Sequence, residues 1–372
     1  MFVPALGLSA LLLAGPAGAD APGGGKSGTP PPVEVQPAAA PTPPKADADM
    51  QKVLDALAAL GGKPIPTLTP AEARMQPTPA DAAKAVLTRR LGKPPAPEAV
   101  AKVEDRTYGD GIPVRIYTPK GKGPFPIIVY YHGGGWVIAN LDVYDASPRA
   151  LANATGAIVV AASYRQAPEH KFPAAHDDAF TAYRWALDNA ASFRGDPTRV
   201  ALVGESAGGN LAVNTAIRAR DEKLTMPRHM VLVYPVAGAD MTTPSYVANA
   251  AAKPLDKATM EWFVKHVFTS KDQAKDPRLD LVSRTDLAGL PPATVITAEI
   301  DPLRSEGQML AKKLTGAGVK VDAADYTGVA HEFFGMGAVV AKAKQAQQRA
   351  GKNLKAALKA KGKGKAKRVT TR

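Results

Sequence analysis

The 372 residues are ample for a full hydrophobic core and allow two domains or one large α/β domain with insertions. With no cysteine, the chain has no disulfide, thiolate metal site, cysteine nucleophile or lipid-modified cysteine, and either redox compartment suits it. The formal net charge of +13 does not mark a nucleic-acid binder, because twelve Lys or Arg and no Asp or Glu follow Glu332, which leaves the body close to neutral.

Residues 1–19 hold an apolar run from Ala5 to Ala14 and the small-residue exit Ala17-Gly18-Ala19, the length of a signal-peptide core and short for a bilayer span. Export to the periplasm or outside the cell is expected. No Lys or Arg precedes the run, so a start at Met50 and a cytoplasmic protein is the alternative. Residues 20–49 are dominated by Pro, Gly and Ala and read as an extended linker. Within 50–100, helices are expected from Met50 to Leu60, closed by Gly61-Gly62, and from Pro79 to Leu87 with Pro in the first turn. They are either packing decoration or part of a lid.

A catalytic α/β region is expected over 101–340. A hairpin turns at Gly109-Asp110-Gly111, and Phe125 to Tyr131 is a buried-strand run ending in His132-Gly133-Gly134-Gly135-Trp136. Further strands are read at Ala157 to Ser163, Val200 to Val203, His229 to Tyr234, Ala293 to Ala298 and Val319 to Ala323, with helices at Ala174 to Ala190 and Pro302 to Thr315. This alternation implies a mostly parallel sheet covered on both faces. It breaks over 237–286, where Lys257 to Phe268 forms an isolated amphipathic helix, read as an insertion over the carboxyl edge of the sheet. Its Trp262, Phe263 and Phe268 are candidates to line an acyl pocket, with packing against the early helices as the alternative.

Val203-Gly204-Glu205-Ser206-Ala207-Gly208-Gly209-Asn210 joins a strand to a helix through a very tight turn. Gly-x-Ser-x-Gly in that setting lifts a serine clear of the backbone at the amino end of a helix, where negative charge is favoured. A serine hydroxyl is a weak nucleophile and requires a base and a group to orient it. In the chain order nucleophile, acid, His, only His229, His266 and His331 follow Ser206; His331, in a loop after the last strand, is the expected base. Asp301, after the penultimate strand, is the expected orienting acid, with helix capping as its alternative and Asp322 and Asp325 as rivals. The NH groups of Gly133, Gly134 and Ala207 are expected to form an oxyanion hole. The glycine run lacks a Gly-Lys-Ser/Thr ending, which excludes a P-loop, and His132 has no partner at metal-ligand spacing. It is read as steadying the glycine loop, and no metal site is expected.

Together the motif at His132 to Trp136, the motif at Gly204 to Asn210, Asp301-Pro302-Leu303-Arg304 and His331 resemble the hormone-sensitive-lipase-like family of bacterial esterases; Tyr164 to Pro173 also resembles a stretch of that family. The resemblance implies an α/β-hydrolase fold with a helical cap built from the N-terminal helices and the insertion. It implies hydrolysis of short to medium acyl esters through an acyl-enzyme intermediate, with no cofactor. Glu205 stands where the family commonly has Asp, Ser305 where it has a second acid, and Glu332 where Gly often follows the histidine. Amidase or lactonase activity is the alternative with the same residues. A non-catalytic small-molecule receptor is the alternative from another class, against which His331 argues. Residues 341–372 are expected to be a basic tail outside the catalytic fold, attracted to anionic surfaces or polyanions without specific nucleic-acid recognition; as the alternative, its first half, with Leu354, Ala357 and Leu358 among spaced Lys residues, makes a helix that extends the final helix of the family.

Overall fold

The computed structural model describes residues 44–360. The expected signal peptide, nearly all of the expected linker and the basic run after residue 360 lie outside them. In chain order the helices and strands are α1 (Ala48–Ala59), α2 (Pro70–Arg74), α3 (Pro79–Leu91), β1 (Lys102–Tyr108), β2 (Ile112–Thr118), β3 (Phe125–Tyr131), α4 (Ala146–Thr155), β4 (Ile158–Ala162), α5 (Ala174–Asp188), β5 (Gly195–Glu205), α6 (Ala207–Asp221), β6 (Met230–Val233), α7 (Pro244–Ala248), α8 (Lys257–Val267), β7 (Ala293–Ile300), α9 (Arg304–Gly316), β8 (Val321–Ala330) and α10 (Ala341–Ala357).

The eight strands form one sheet in the order β1-β2-β4-β3-β5-β6-β7-β8. The β1–β2 hairpin and the β2–β4 pair are antiparallel, and every later pair is parallel. Central strands are buried on both faces, which is why Phe125 to Tyr131 and Val200 to Val203 read as continuous apolar runs rather than as alternations. Alternate residues serve two cores. Ile127, Val129 and Leu202 pack with Leu211 and Ala216 of α6, Ala179 of α5 and Leu310 of α9; Ile128, Tyr130 and Val203 pack with Leu151 of α4 and Ala346 and Leu354 of α10.

The last strand does not end at Ala323 but runs on to Ala330, so His331 stands directly at its carboxyl end. The tail does not begin at residue 341. Helix α10 buries Ala343, Ala346, Ala350, Gly351 and Leu354 against the second core, and Arg349 pairs with Asp322 of β8 at 2.6 Å. Small residues at helical spacing carry that face, and the alternative of a helix in the first half of the tail is the one the structure has.

The N-terminal segment and the insertion meet above the sheet. Thr69 and Thr78 close capping boxes with Glu72 and Asp81, fixing the starts of α2 and α3. Arg74 at the end of α2 donates to the carbonyls of Val137 and Ala167 at 2.9 and 2.8 Å and pairs with Glu169 at 2.7 Å. This anchors the segment on the loop that follows the glycine motif and on the loop between β4 and α5.

Candidate active site

Strand β5 delivers Ser206 with φ 56° and ψ −120°, a backbone conformation that costs a side-chain-bearing residue about 1–3 kcal/mol. The strain is sustained by close packing on either side. A Cβ on Gly204 would strike the Gly208 carbonyl, and one on Gly208 the Tyr131 carbonyl. The Ser206 NH donates to Val233 O at 2.9 Å, so β6 fixes the turn.

His331 Nε2 lies 3.0 Å from Ser206 Oγ, and its Nδ1 lies 2.7 Å from Asp301 Oδ2. Asp301, at the end of β7, is fully buried; its other carboxylate oxygen accepts the Leu303 NH at 2.8 Å. Three segments far apart in sequence therefore place their side chains in one line. The rival acids are elsewhere: Asp325 pairs with Arg304 and accepts from Thr297, and Asp322 pairs with Arg349. The other histidines have separate partners. His229 Nε2 lies 2.8 Å from Thr294 Oγ1, and His266 packs on Trp262.

Burial alone would depress the His331 imidazolium, but the Asp301 carboxylate at Nδ1, helped by Glu332 and Glu205, outweighs it and raises the pKa above the ordinary histidine value. Glu205 is buried beneath Ser206, where desolvation pushes its pKa up to about 7. The Tyr130 hydroxyl donates to one of its oxygens at 2.6 Å and the Tyr234 hydroxyl to the other.

Gly133 and Gly134 follow β3, and Gly133 lies beside Ser206: a Cβ there would come within 3.1 Å of the serine Cβ. The NH groups of Gly133, Gly134 and Ala207 have no acceptor among the described residues. His132 is fully buried, stacked on Tyr164 with ring centroids 4.4 Å apart, and desolvation lowers its pKa to about 4. It packs within the glycine loop as a neutral ring.

Ser206 and His331 open into a cavity of about 1290 Å³. Leu54, Leu57 and Ile65 from the N-terminal segment and Met241, Leu255, Met260, Phe263 and Phe268 from the insertion line it. Two of the three aromatic candidates are thus on its wall. Trp262 is the correction: it lies outside the wall, buried against Phe263 and His266, with Nε1 donating to Leu68 O at 3.0 Å. Adjacent positions on a helix point about 100° apart, and here Phe263 faces the cavity while Trp262 turns toward Leu68. The aliphatic wall residues of α1 were hidden because they sit on an ordinary amphipathic stripe. Tyr144 also lines the cavity and was missed, because no spacing in the sequence marks it.

Residues 128–335 match the family model described as the α/β hydrolase fold. This chain belongs to the hormone-sensitive-lipase-like family of α/β-hydrolases. It is 42% identical over 281 residues to carboxylesterase NlhH of Mycobacterium tuberculosis, covering 73% of this chain and 88% of that one. It is 36% identical over 257 residues to an ethyl acetate hydrolase of Pseudomonas putida, covering 68% and 81%. Among solved structures, the Pyrobaculum calidifontis esterase superposes with a TM-score of 0.74 at 35% identity, covering 84% of this chain and 100% of that one. A thermostable Pseudomonas putida esterase gives 0.76 at 31% identity, covering 86% and 99%. This chain is a serine carboxylesterase, a carboxylic ester hydrolase.

Proposed function

We propose that Ser206 is the nucleophile of this esterase, His331 its general base and acid, Asp301 the group that orients the histidine, and the NH groups of Gly133, Gly134 and Ala207 the oxyanion hole. The observation that carries the reading is the continuous Ser206–His331–Asp301 hydrogen-bond line at 3.0 and 2.7 Å, opening into the cavity.

Ser206 Oγ attacks the ester carbonyl carbon as its proton passes to His331 Nε2, and negative charge develops on the carbonyl oxygen beside the three NH donors. Each such donor is worth about 3 kcal/mol of barrier. The imidazolium, held by Asp301, returns the proton to the departing alkoxide, leaving acyl-Ser206. Water then attacks the acyl carbon, losing its proton to His331, and Ser206 leaves with that proton.

The apolar wall of Leu255, Met260, Phe263 and Phe268 supports short to medium acyl chains as substrates. The basic run at 359–368, on the strength of its charge alone, is read as an accessory arm for anionic surfaces. The test of the reading is turnover of p-nitrophenyl esters of increasing acyl length, beside matched amides and lactones. Esters should be preferred, and Ser206→Ala and His331→Ala should each lose several orders of magnitude. Retained turnover in either variant refutes the assigned roles.

A further inference from the structure

More carboxyl groups surround His331 than the Ser206–His331–Asp301 line uses. Asp301 occupies Nδ1, while Glu332 Oε1 lies 3.9 Å from Nε2, the ring nitrogen that faces Ser206. Glu332 stands at φ 71°, in the left-handed region that a side-chain-bearing residue seldom adopts, and it lines the cavity that holds Ser206. Its Oε1 accepts the Tyr144 hydroxyl at 2.5 Å. That same hydroxyl abuts Gly133 so closely that a Cβ there would run into it, and the Tyr144 ring leans on His132 with centroids 5.8 Å apart. Tyr144 therefore touches the glycine loop on one side and the residue next to the histidine on the other.

We propose that Glu332, held by Tyr144, is a positioning residue that sets the protonation equilibrium of His331 and keys the histidine to the glycine loop. The proposal rests on the reading of His331 as the base. Glu332 cannot itself take the Ser206 proton at this geometry. It lies beyond hydrogen-bond reach of Nε2 and already accepts from Tyr144. Its effect is through charge. When Nε2 takes the serine proton, the imidazolium forms beside two carboxylates instead of one, and the second is on the edge where that proton arrives.

The groups facing His331 come from several elements. Asp301 follows β7, and Glu205 ends β5. Tyr234, just after β6, places its ring centroid 4.5 Å from the imidazole and donates to Glu205. Tyr144 precedes α4, and Glu332 is the histidine's own neighbour. The charged forms of all of these are negative, so each acid that ionises favours the imidazolium. Burial, with Asp301, raises the Glu332 carboxyl above its ordinary value, and His331 and the Tyr144 hydrogen bond offset part of that rise.

The test is the pH dependence of kcat/KM for a neutral ester, compared for the parent, Glu332→Gln and Tyr144→Phe, with Ser206→Ala as reference. Removing the carboxylate charge lowers the His331 pKa, so Glu332→Gln should move the acid limb to lower pH by about one unit. Tyr144→Phe takes away the donor that favours the ionised carboxylate and should move the limb in the same direction by less. A purely structural role would scale the whole profile and leave the limb in place. An unmoved limb in both variants, or a shift to higher pH, overturns the proposal, and if Glu332→Gln does not fold, Tyr144→Phe decides alone. Inactive Ser206→Ala with an unmoved limb removes only the role of Glu332; active Ser206→Ala removes the underlying reading.

Discussion

The indole nitrogen of Trp262 donates to the main-chain carbonyl of Leu68 at 3.0 Å, joining α8 of the insertion to the N-terminal segment. The two halves of the cavity roof are thereby tied to one another, and the neighbouring Phe263 is left to face the cavity. Trp262→Ala should destabilise the protein by about 3–5 kcal/mol and change the KM of all esters in common. Phe263→Ala should instead redistribute preference among acyl lengths, because it removes wall and not tether. Thermal unfolding and KM across an acyl series check both; a change of acyl preference in Trp262→Ala equal to that in Phe263→Ala contradicts the division.

Asp301 and Asp325 both follow from the sequence as acids near the end of the sheet, yet they differ in what they touch. Asp301→Asn should lower kcat on the order of 10³–10⁴-fold, since an amide no longer holds the histidine in the required tautomer and stabilises no imidazolium. Asp325→Asn breaks a partly exposed pair with Arg304 and should cost far less activity. Steady-state kinetics of the two variants decide; a larger loss in Asp325→Asn reverses the assignment.

The fold and the Ser206, His331 and Asp301 constellation were legible because they depend on local signals: buried apolar runs, a tight Gly-x-Ser-x-Gly turn, and the order of residues at successive strand ends. What was illegible depends on packing between distant segments. The inner face of helix α4 is Ser147, Pro148, Leu151, Ala152 and Thr155, with Leu151 its one large apolar side chain, so no helix is expected there from the sequence. A helix in α10 was legible, but its packing was not, because its inner face is made mostly of Ala amid Lys residues. The contact of Tyr144 with Glu332 spans 188 residues and has no counterpart in any sequence spacing.

Glu205 carries a pH dependence of stability. Its folded pKa of about 7 lies above the ordinary 4.5, so the folded protein binds the extra proton between those values. The stabilisation is full below about pH 4.5 and is lost as pH rises through about 7, a change of about 3 kcal/mol for this group. Glu205→Gln removes that titration. Denaturant unfolding of parent and variant at about pH 5 and about pH 8 should show the variant gaining relative stability at the higher pH. A pH-independent difference contradicts the assigned pKa.

The carboxyl terminus divides into a structural helix and a basic run. A chain ending at residue 342 would strip Ala346, Ala350 and Leu354 from the second core and should fail to fold or lose several kcal/mol. A chain ending at residue 360 should keep its turnover of soluble esters while losing any salt-sensitive binding to anionic vesicles. Circular dichroism, ester kinetics and vesicle co-sedimentation test the division. Equal stability of the two truncated chains would place α10 outside the fold after all.

Covalent chemistry at Ser206 is what the enzyme's activity depends on most directly. The enzyme should be incubated with a p-nitrophenyl alkylphosphonate, which loses p-nitrophenolate to an activated serine and stays bound, and intact mass and peptide mapping recorded. The expected result is one adduct per chain, located on Ser206, formed in step with loss of esterase activity and absent from Ser206→Ala. An adduct on another residue, or inactivation of the parent with Ser206 unmodified, would contradict it.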